Sequence, residues 1–223
     1  GRGPKITAHE AYDQDDEARF VVDTIAQLAA SPPPGGGVRP GGCAVMYRTN
    51  AQSRAFEDAF IRAGLPYRLV GATRFYARRE IKDLVAFLRL IHNTADGVSM
   101  ARVINVPPRG IGKKTVAALE NAARQRNISI YEALREVLSS EYRIPNTEYR
   151  TKLGTRAQRV LASFLELLEG WIAAREHLTV AQLIDRVLED TRYADYLRDG
   201  TEEGEDRWAN VLELRNVAAD YEN

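Results

Sequence analysis

A glycine-rich turn followed directly by two lysines lies between two segments of helical sequence. Residues 107–115 read Pro-Pro-Arg-Gly-Ile-Gly-Lys-Lys-Thr. Gly110 and Gly112 permit a tight turn whose backbone N–H groups point outward at the start of the next helix, where Lys113 and Lys114 add positive charge. This pattern is typical of a helix–hairpin–helix, which holds a DNA backbone through its phosphates without reading bases.

The same residues do not form a phosphate-binding P-loop. The GxxxxGK[ST] pattern requires glycine at position 107 and serine or threonine at position 114, where this sequence has Pro107 and Lys114. No other segment of the sequence fits that pattern, and the motifs of serine hydrolases, zinc proteases and calcium loops are also absent. Three scattered histidines and one cysteine argue against a zinc site, so no metal ligand is predicted.

Tyr47 and Arg48 stand at the end of a short apolar run, residues 43–47, that is typical of a buried parallel strand. Ligands of open α/β sheets bind just beyond such strand ends. A tyrosine there offers a flat face to a base, and an arginine offers a fixed cation to a phosphate. Without further context, a surface arginine beside a packed tyrosine also explains the pair, and this arrangement is the more common one.

Residues 71–83 combine four cations with two aromatic rings at a predicted strand-to-helix junction. Aromatic rings interleaved with arginines suit single-stranded nucleic acid, because bases stack on rings while phosphates pair with cations. The alternative is an ordinary helix start. In that case Glu80 and Lys82 are solvated, and Phe75 and Tyr76 are packed.

Strand and helix signals alternate over the first seventy residues and then give way to helical periodicity. Strands are predicted at 5–11, 43–47 and 66–71, and helices at about 15–30, 50–63, 79–92, 99–105, 113–126, 129–140, 155–175, 179–190 and 206–222. The predicted fold class is therefore α/β followed by all-α. A partial parallel sheet with helices is followed by a helical subdomain that contains the hairpin turn.

The net charge is zero, but the charges are segregated along the chain. Residues 68–126 hold twelve lysines and arginines against four carboxylates, and residues 185–206 hold nine carboxylates against three arginines. A basic middle is compatible with a phosphate-binding face, although solvated helix surfaces explain it as well. No apolar window is long enough for a membrane span. The single cysteine, Cys43, fits a reduced, cytoplasmic setting.

Three blocks of the sequence resemble the UvrD/PcrA/Rep family of superfamily 1 DNA helicases, in that family's order and spacing. They are YRTNAQSR at 47–54, LPYRLVGATRFYARREIKDLVAFLRLI at 65–91 and RVINVPPRGIGKKT at 102–115. The resemblance covers about residues 3–223 and is strongest from 43 to 120.

The resemblance implies an ATP-dependent 3′–5′ DNA helicase or translocase that acts in repair or replication. By the match to the family's motif IV, Tyr47 stacks on the adenine of ATP and Arg48, as a catalytic residue, reaches the γ-phosphate. A second matching motif implies that Arg78, Glu80 and Lys82 serve coupling and single-strand handling. The residues implied in duplex DNA binding are Arg109, Gly110, Gly112, Lys113, Lys114 and Thr115.

The resemblance also implies how the chain is organised. Residues 1–97 match the first part of the second RecA-like motor domain, and residues 98–223 match the inserted helical DNA-binding subdomain. ATP and Mg²⁺ are expected cofactors of the whole enzyme. The Walker A loop and the Mg²⁺-binding motif are expected outside this chain, which alone binds neither. The expected partner is duplex DNA with a 3′ single-stranded tail, held largely without sequence preference.

Two further interpretations remain open at this stage. One is a non-enzymatic helix–hairpin–helix module for DNA binding or regulation, for which Tyr47 and Arg48 at a strand end have no use. The other is the helicase arm of an AddA/RecB-type helicase–nuclease, which requires a nuclease domain that this sequence does not display.

Overall fold

The chain divides into two compact units, Gly1–Arg78 and Arg79–Asn223. A computed structural model describes residues 5–30, 38–138 and 154–221. Within these ranges, no helix combines the length and the apolar character that crossing a membrane requires.

The first unit is built around two packed helices, as the helical periodicity predicts. Helix α1 spans Gln14–Ala30 and α2 spans Ser53–Arg62, and Ala18, Ala55 and Phe56 form the centre of their contact. Single 3₁₀ turns lie at Pro40–Gly42, Asn50–Gln52 and Phe75–Ala77. The chain leaves α2 through Gly64, whose φ of +66° suits glycine at a helix end.

The three predicted strands are wrong for the described residues, which contain no β-strand. Residues 43–45 and 65–70 line one open cavity of about 360 Å³, but no backbone hydrogen bond joins residues 43–47 to residues 65–70. A parallel strand is covered on both faces. Here Met46 is 93% exposed and Val70 is 85% exposed. An apolar run predicts a strand only if other backbone segments pair with it, and the described residues supply none.

In its described residues, the second unit contains helices and no strand, as predicted. Its helices in the described residues are α3 (Arg79–His92), α4 (Gly97–Val103), α5 (Lys113–Arg126), α6 (Ile130–Leu138), α7 (Thr155–Ala174), α8 (Val180–Thr191), α9 (Tyr193–Leu197) and α10 (Glu202–Asp220). The last helix begins four residues before its predicted start, because the Thr201 side chain accepts a hydrogen bond from the Gly204 N–H and caps it. Positions 139–140 and 222 of the predicted helices lie outside the described residues.

A continuous apolar core joins α3 to α8 in this unit. Helix α7 contributes a fully buried stripe of Leu161, Phe164, Leu168 and Trp171, and the Trp171 ring meets Phe87 of α3 edge-on at 5.6 Å between centroids. The hairpin between α4 and α5 adds Ile104 and Ile111 to the same core. The hairpin is therefore packed onto the bundle.

Buried polar side chains connect α3 to helices α4, α9 and α10. Asp83, 2% exposed, accepts a hydrogen bond from the Tyr193 hydroxyl at 3.0 Å and forms an ion pair with Arg102 at 2.7 Å. Burial, together with the nearby Asp83 carboxylate, raises the pKa of Tyr193 far above its usual value. One turn earlier, Glu80 accepts a hydrogen bond from the Asn210 amide at 2.8 Å. Each buried acceptor thus has a donor from a remote helix, as burial requires.

Helix α4, the first helix of the hairpin, is started by Asp96. One Asp96 oxygen accepts from the Ser99 N–H at 3.0 Å, and the other accepts from the Ser99 hydroxyl at 2.7 Å. These hydrogen bonds favour the carboxylate and lower the pKa of Asp96 below its usual value.

We predict that Asp96→Ala lowers the free energy of unfolding by about 1 kcal/mol at neutral pH, because α4 loses its N-cap. The pKa of Asp96 is lower in the folded protein than in the unfolded chain, where it is about 3.9. The stabilisation by the ionised cap is therefore present above the unfolded pKa and is lost as the pH falls through the folded pKa. Urea unfolding at neutral and strongly acidic pH measures both. Asp96→Asn, which keeps the acceptor without the charge, is the control. A deficit in Asp96→Ala that persists unchanged at acidic pH contradicts this assignment.

Candidate functional site

The hairpin between α4 and α5 places two glycines at the surface on either side of a buried isoleucine. Gly110 and Gly112 are exposed, whereas Ile111 is 3% exposed and packs into the core. Gly110 has a φ of +83°, a conformation that residues with a Cβ rarely adopt. The turn is therefore anchored by its middle residue, and its backbone lies open on either side.

Asn105 organises this turn. Its side-chain oxygen accepts hydrogen bonds from the backbone N–H of Arg109 at 2.8 Å and from that of Ile111 at 3.1 Å. One half-buried amide therefore holds both ends of the Arg109–Ile111 segment. The sequence interpretation missed Asn105, although asparagine is a common turn residue because it bonds to nearby backbone groups.

Arg109 turns inward, beneath the hairpin. Its Nη1 lies within hydrogen-bond distance of four backbone carbonyls of the turn, the shortest being 2.6 Å to Val106. The guanidinium carbon lies 5.3 Å from the ring centroid of the fully buried Phe164. Burial lowers the pKa of Arg109 to about 10, so the side chain keeps its charge at neutral pH. Of the residues predicted to bind DNA, Arg109 is the one directed away from the surface.

The start of α5 presents unpaired donors and positive charge to solvent. Gly112 caps the helix without a side-chain hydrogen bond, so the first N–H groups of the helix, at Lys113 and Lys114, lack the usual capping acceptor. Lys113 and Lys114 are exposed, and neither has an ion pair among the described residues. Thr115 is half-buried, and its N–H donates to the Gly112 carbonyl at 3.0 Å. These features give the start of α5 a net positive charge at a helix N-terminus, an arrangement that favours anions.

Tyr47 and Arg48 lie in the first unit, just before the 3₁₀ turn that leads into α2. The Tyr47 ring is half-buried and lies nearly parallel to Phe56, with 6.4 Å between ring centroids. Arg48 is exposed, and no ion pair to it occurs in the part of the chain that the structure describes. The Gln52 side chain accepts from the backbone N–H of Arg48 and of Thr49, both at 3.0 Å. The backbone is thus fixed while the Arg48 guanidinium faces solvent.

A buried polar cluster lies beneath this loop and ties it to residues 73–78. Arg78, 8% exposed, donates to the carbonyls of Thr73 and Asn50 and to the Ser53 hydroxyl. Glu57, 5% exposed, accepts from the Ser53 hydroxyl at 2.9 Å, the Phe75 N–H at 3.1 Å and the Tyr67 hydroxyl at 3.2 Å. Burial, and next the Glu57 charge, raise the pKa of Tyr67.

The three residues assigned to coupling and single-strand handling have different surroundings. Arg78 belongs to the first unit and is buried, whereas Glu80 and Lys82 belong to the second. Glu80 is buried against Asn210, and Lys82 is exposed on α3. Phe75 is fully buried, and Tyr76 is half exposed. The structure therefore matches each of the two interpretations of 71–83 only in part. Tyr76 and Lys82 are exposed, whereas Phe75, Arg78 and Glu80 are buried.

Glu57 is the second functional candidate that the sequence interpretation missed. A glutamate in an amphipathic helix is usually solvated, and no local signal shows that three donors surround this one. Among the described residues, no group of three or more histidine, cysteine, aspartate or glutamate side chains is arranged to hold a metal ion.

The structure thus contains two sites with exposed cations, Arg48 in the first unit and Lys113 with Lys114 in the second, and polar side chains hold the backbone of each. The chain belongs to the family of UvrD-like helicase C-terminal domains, which matches residues 1–223. This result confirms the resemblance to UvrD/PcrA-type helicases.

The relatives of this chain include two bacterial proteins named ATP-dependent DNA helicase PcrA. The chain is 38% identical over 221 residues to the one from Staphylococcus epidermidis and 37% identical over 221 residues to the one from Staphylococcus aureus. Each match covers 99% of this chain but only 28% of the relative. The chain thus corresponds to a little over a quarter of the length of these relatives.

We predict that Asn105→Ala opens the hairpin, because the N–H groups of Arg109 and Ile111 lose their shared acceptor. Loss of a partner for half-buried donors costs about 1–3 kcal/mol of stability. Amide hydrogen exchange at these two positions, read by NMR, is expected to accelerate. Asn105→Asp keeps an acceptor oxygen in the same place and is expected to keep both amides protected. Unchanged protection in Asn105→Ala shows that the turn does not depend on this side chain.

Proposed function

We propose that this chain is part of an ATP-dependent DNA helicase that moves 3′ to 5′ along one strand and unwinds the duplex in repair or replication. Residues 1–97 are proposed as the first part of its second motor domain, and residues 98–223 as its helical DNA-binding subdomain. The family membership and the names of the PcrA relatives support the activity.

The observation that carries the DNA-binding part is the exposed start of α5. Gly110, Gly112, Lys113, Lys114 and Thr115 are proposed to hold duplex phosphates with backbone N–H groups and two lysines. These groups recognise phosphate and not base edges, so the contact is independent of sequence. Arg109, which is turned inward, is proposed to contribute by holding the turn in shape.

The nucleotide part of the proposal rests on the exposed guanidinium of Arg48, which forms no ion pair with the described residues. Arg48 is proposed to reach the γ-phosphate of ATP bound by another domain and to stabilise the charge that develops during phosphoryl transfer. The open face of the Tyr47 ring is proposed to stack on the adenine. The Walker A loop and the residues that hold Mg²⁺ are assigned to a part of the protein outside this chain.

Arg78 is proposed as the coupling residue of the first unit. Its guanidinium bonds to the Asn50 carbonyl, two residues from Arg48, and also to the Thr73 carbonyl. A shift of the 73–78 segment would therefore move the loop that carries Arg48. Lys82, exposed on α3, is proposed to contact single-stranded DNA. Glu80 is proposed to hold α3 in place through Asn210.

The DNA-binding proposal predicts that Lys113→Gln/Lys114→Gln reduces the salt dependence of duplex binding. Each lysine that contacts a phosphate contributes about 1 to the slope of log affinity against log salt, so the slope should fall by about 2. Fluorescence anisotropy of this chain with a 3′-tailed duplex, over a salt series, measures it. The charge-reversing Lys113→Glu/Lys114→Glu should weaken binding further and equally on duplexes of different sequence.

Arg192→Gln/Arg198→Gln is the matched control, since both arginines are exposed and lie in the acidic segment 185–206. It removes the same charge from a surface that should repel DNA, and its slope should equal that of the unmodified chain. Equal slopes for the lysine variant and this control rule out the hairpin as a phosphate contact. A loss of affinity of the lysine variant for only one DNA sequence also rules out a phosphate contact.

The nucleotide proposal predicts different kinetic defects for the two residues in the protein that joins this chain to a Walker A domain. Arg48→Ala should lower kcat for DNA-stimulated ATP hydrolysis roughly 10³-fold or more, because a transition-state contact is lost. Tyr47→Ala should mainly raise KM for ATP, because stacking is lost from bound substrate and transition state alike. Steady-state ATPase assays separate the two effects.

Arg62→Ala is the control, since Arg62 is an exposed arginine of α2 whose side chain donates to the Asp58 carbonyl. Its kcat and KM should match those of the unmodified protein. If Arg48→Ala lowers kcat no more than Arg62→Ala does, Arg48 is not at the γ-phosphate.

A further inference from the structure

The solvent-facing side of α5 carries cations well beyond the hairpin. The exposed positions of this helix, here called the α5 basic face, are Lys113, Lys114, Ala117, Asn121, Arg124 and Gln125. At 100° per residue these six positions fall within one arc of about 120°. The face therefore presents three cations and no carboxylate.

The rest of α5 is committed to packing, which fixes how the basic face is oriented. Leu119, Ala122 and Ala123 are buried on the opposite side, against α6 and the core. Glu120 lies at the edge of the face, and its carboxylate is 3.9 Å from the Arg124 guanidinium. Arg124 is nevertheless 73% exposed, and its other hydrogen bonds, to the Glu120 carbonyl and the Asn121 side chain, are local. Its charge is available to a phosphate.

The length of the face matches a duplex better than a single strand. With a rise of 1.5 Å per residue, Arg124 lies about 16 Å along the helix axis from Lys113. That separation exceeds the major-groove width of about 12 Å, so a helix laid across the groove can reach both backbones. A single strand offers only one backbone and no fixed second row of phosphates.

We propose that the α5 basic face adds a second duplex contact to that of the hairpin. Lys113 and Lys114 hold one DNA backbone, and Arg124 holds the opposite one. The inference rests on the proposed function, because it presupposes that the hairpin meets duplex DNA. It assigns DNA contact to Ala117, Asn121 and Arg124. Ala117, midway along the face, lies over the groove, where its small side chain permits close approach.

The test compares Arg124→Gln with Arg192→Gln in this chain by anisotropy over a salt series, on a duplex and on a single strand of equal length. Arg124→Gln should lower the slope of log affinity against log salt by about 1 on the duplex, in addition to the effect of the lysines, and should leave the slope on the single strand unchanged. Arg192→Gln should change neither. Thermal unfolding of each variant checks that the fold is intact.

A second pair of variants tests the middle of the face without touching Arg124. Ala117→Glu places a carboxylate over the groove and should weaken duplex binding, whereas Ala162→Glu, at an exposed position of α7, should not. Both substitutions keep good helix formers, so both proteins should fold.

The outcomes separate the two proposals. If the lysine variant weakens binding but Arg124→Gln and Ala117→Glu do not, the second contact is wrong and the hairpin contact stands. If Arg124→Gln weakens binding equally on duplex and single strand, the contact with the opposite backbone is wrong. If none of the variants changes binding, the DNA-binding function proposed for the hairpin fails as well.

Discussion

Burial of the Arg109 guanidinium under the α4–α5 turn is the interaction on which the candidate DNA-binding surface depends. A cation removed from water requires acceptors around it, and the carbonyls of the turn supply them to Nη1, whereas the buried Nη2 has no hydrogen-bond partner among the described residues. On the other side of the turn, Gly110 and Gly112 are exposed. The Phe164 ring beneath the guanidinium joins this arrangement to the core of the bundle.

The first unit also has a buried side chain surrounded by hydrogen-bond partners, but this side chain is acidic and its partners are donors. Glu57 is the buried carboxyl group there, and donors from Ser53, Tyr67 and Phe75 surround it. In both units a segment without regular secondary structure is fixed by side chains and not by a backbone ladder. In both, polar contacts lie close in sequence to an exposed cation: Gln52 holds the backbone N–H of Arg48, and Arg109 bonds to the carbonyls of the turn that precedes Lys113. A loop fixed in this way keeps its shape before a ligand arrives, so less conformational entropy is lost on binding.

The neutral overall charge conceals an asymmetry in how charges are compensated. Several carboxylates of the acidic segment pair within the unit, as in the contacts of Asp185 with Arg215, Asp190 with Arg186 and Glu205 with Arg198. The two lysines at the start of α5 have no such partner in the described part of the chain. Compensated charges produce little field at a distance, whereas unpaired lysines attract phosphate. The distribution of ion pairs, more than the net charge, makes the start of α5 a candidate interface for a polyanion.

The helices and the positions of the candidate motifs along the chain were predictable because both depend on local sequence. Helical periodicity located α1 to α8 closely, and the glycine pattern located the turn that carries Lys113 and Lys114. The strands were not predictable, because a strand depends on backbone partners that lie elsewhere. The burial of Arg109, Glu57 and Glu80 was not predictable from the sequence either. A long polar side chain turns inward only where remote elements bring donors or acceptors to it. The sequence by itself thus determined the helices, the family and the cations of the sites. Only the tertiary structure decided which charged residues face solvent and which hold the loops from within, because that choice depends on partners distant along the chain.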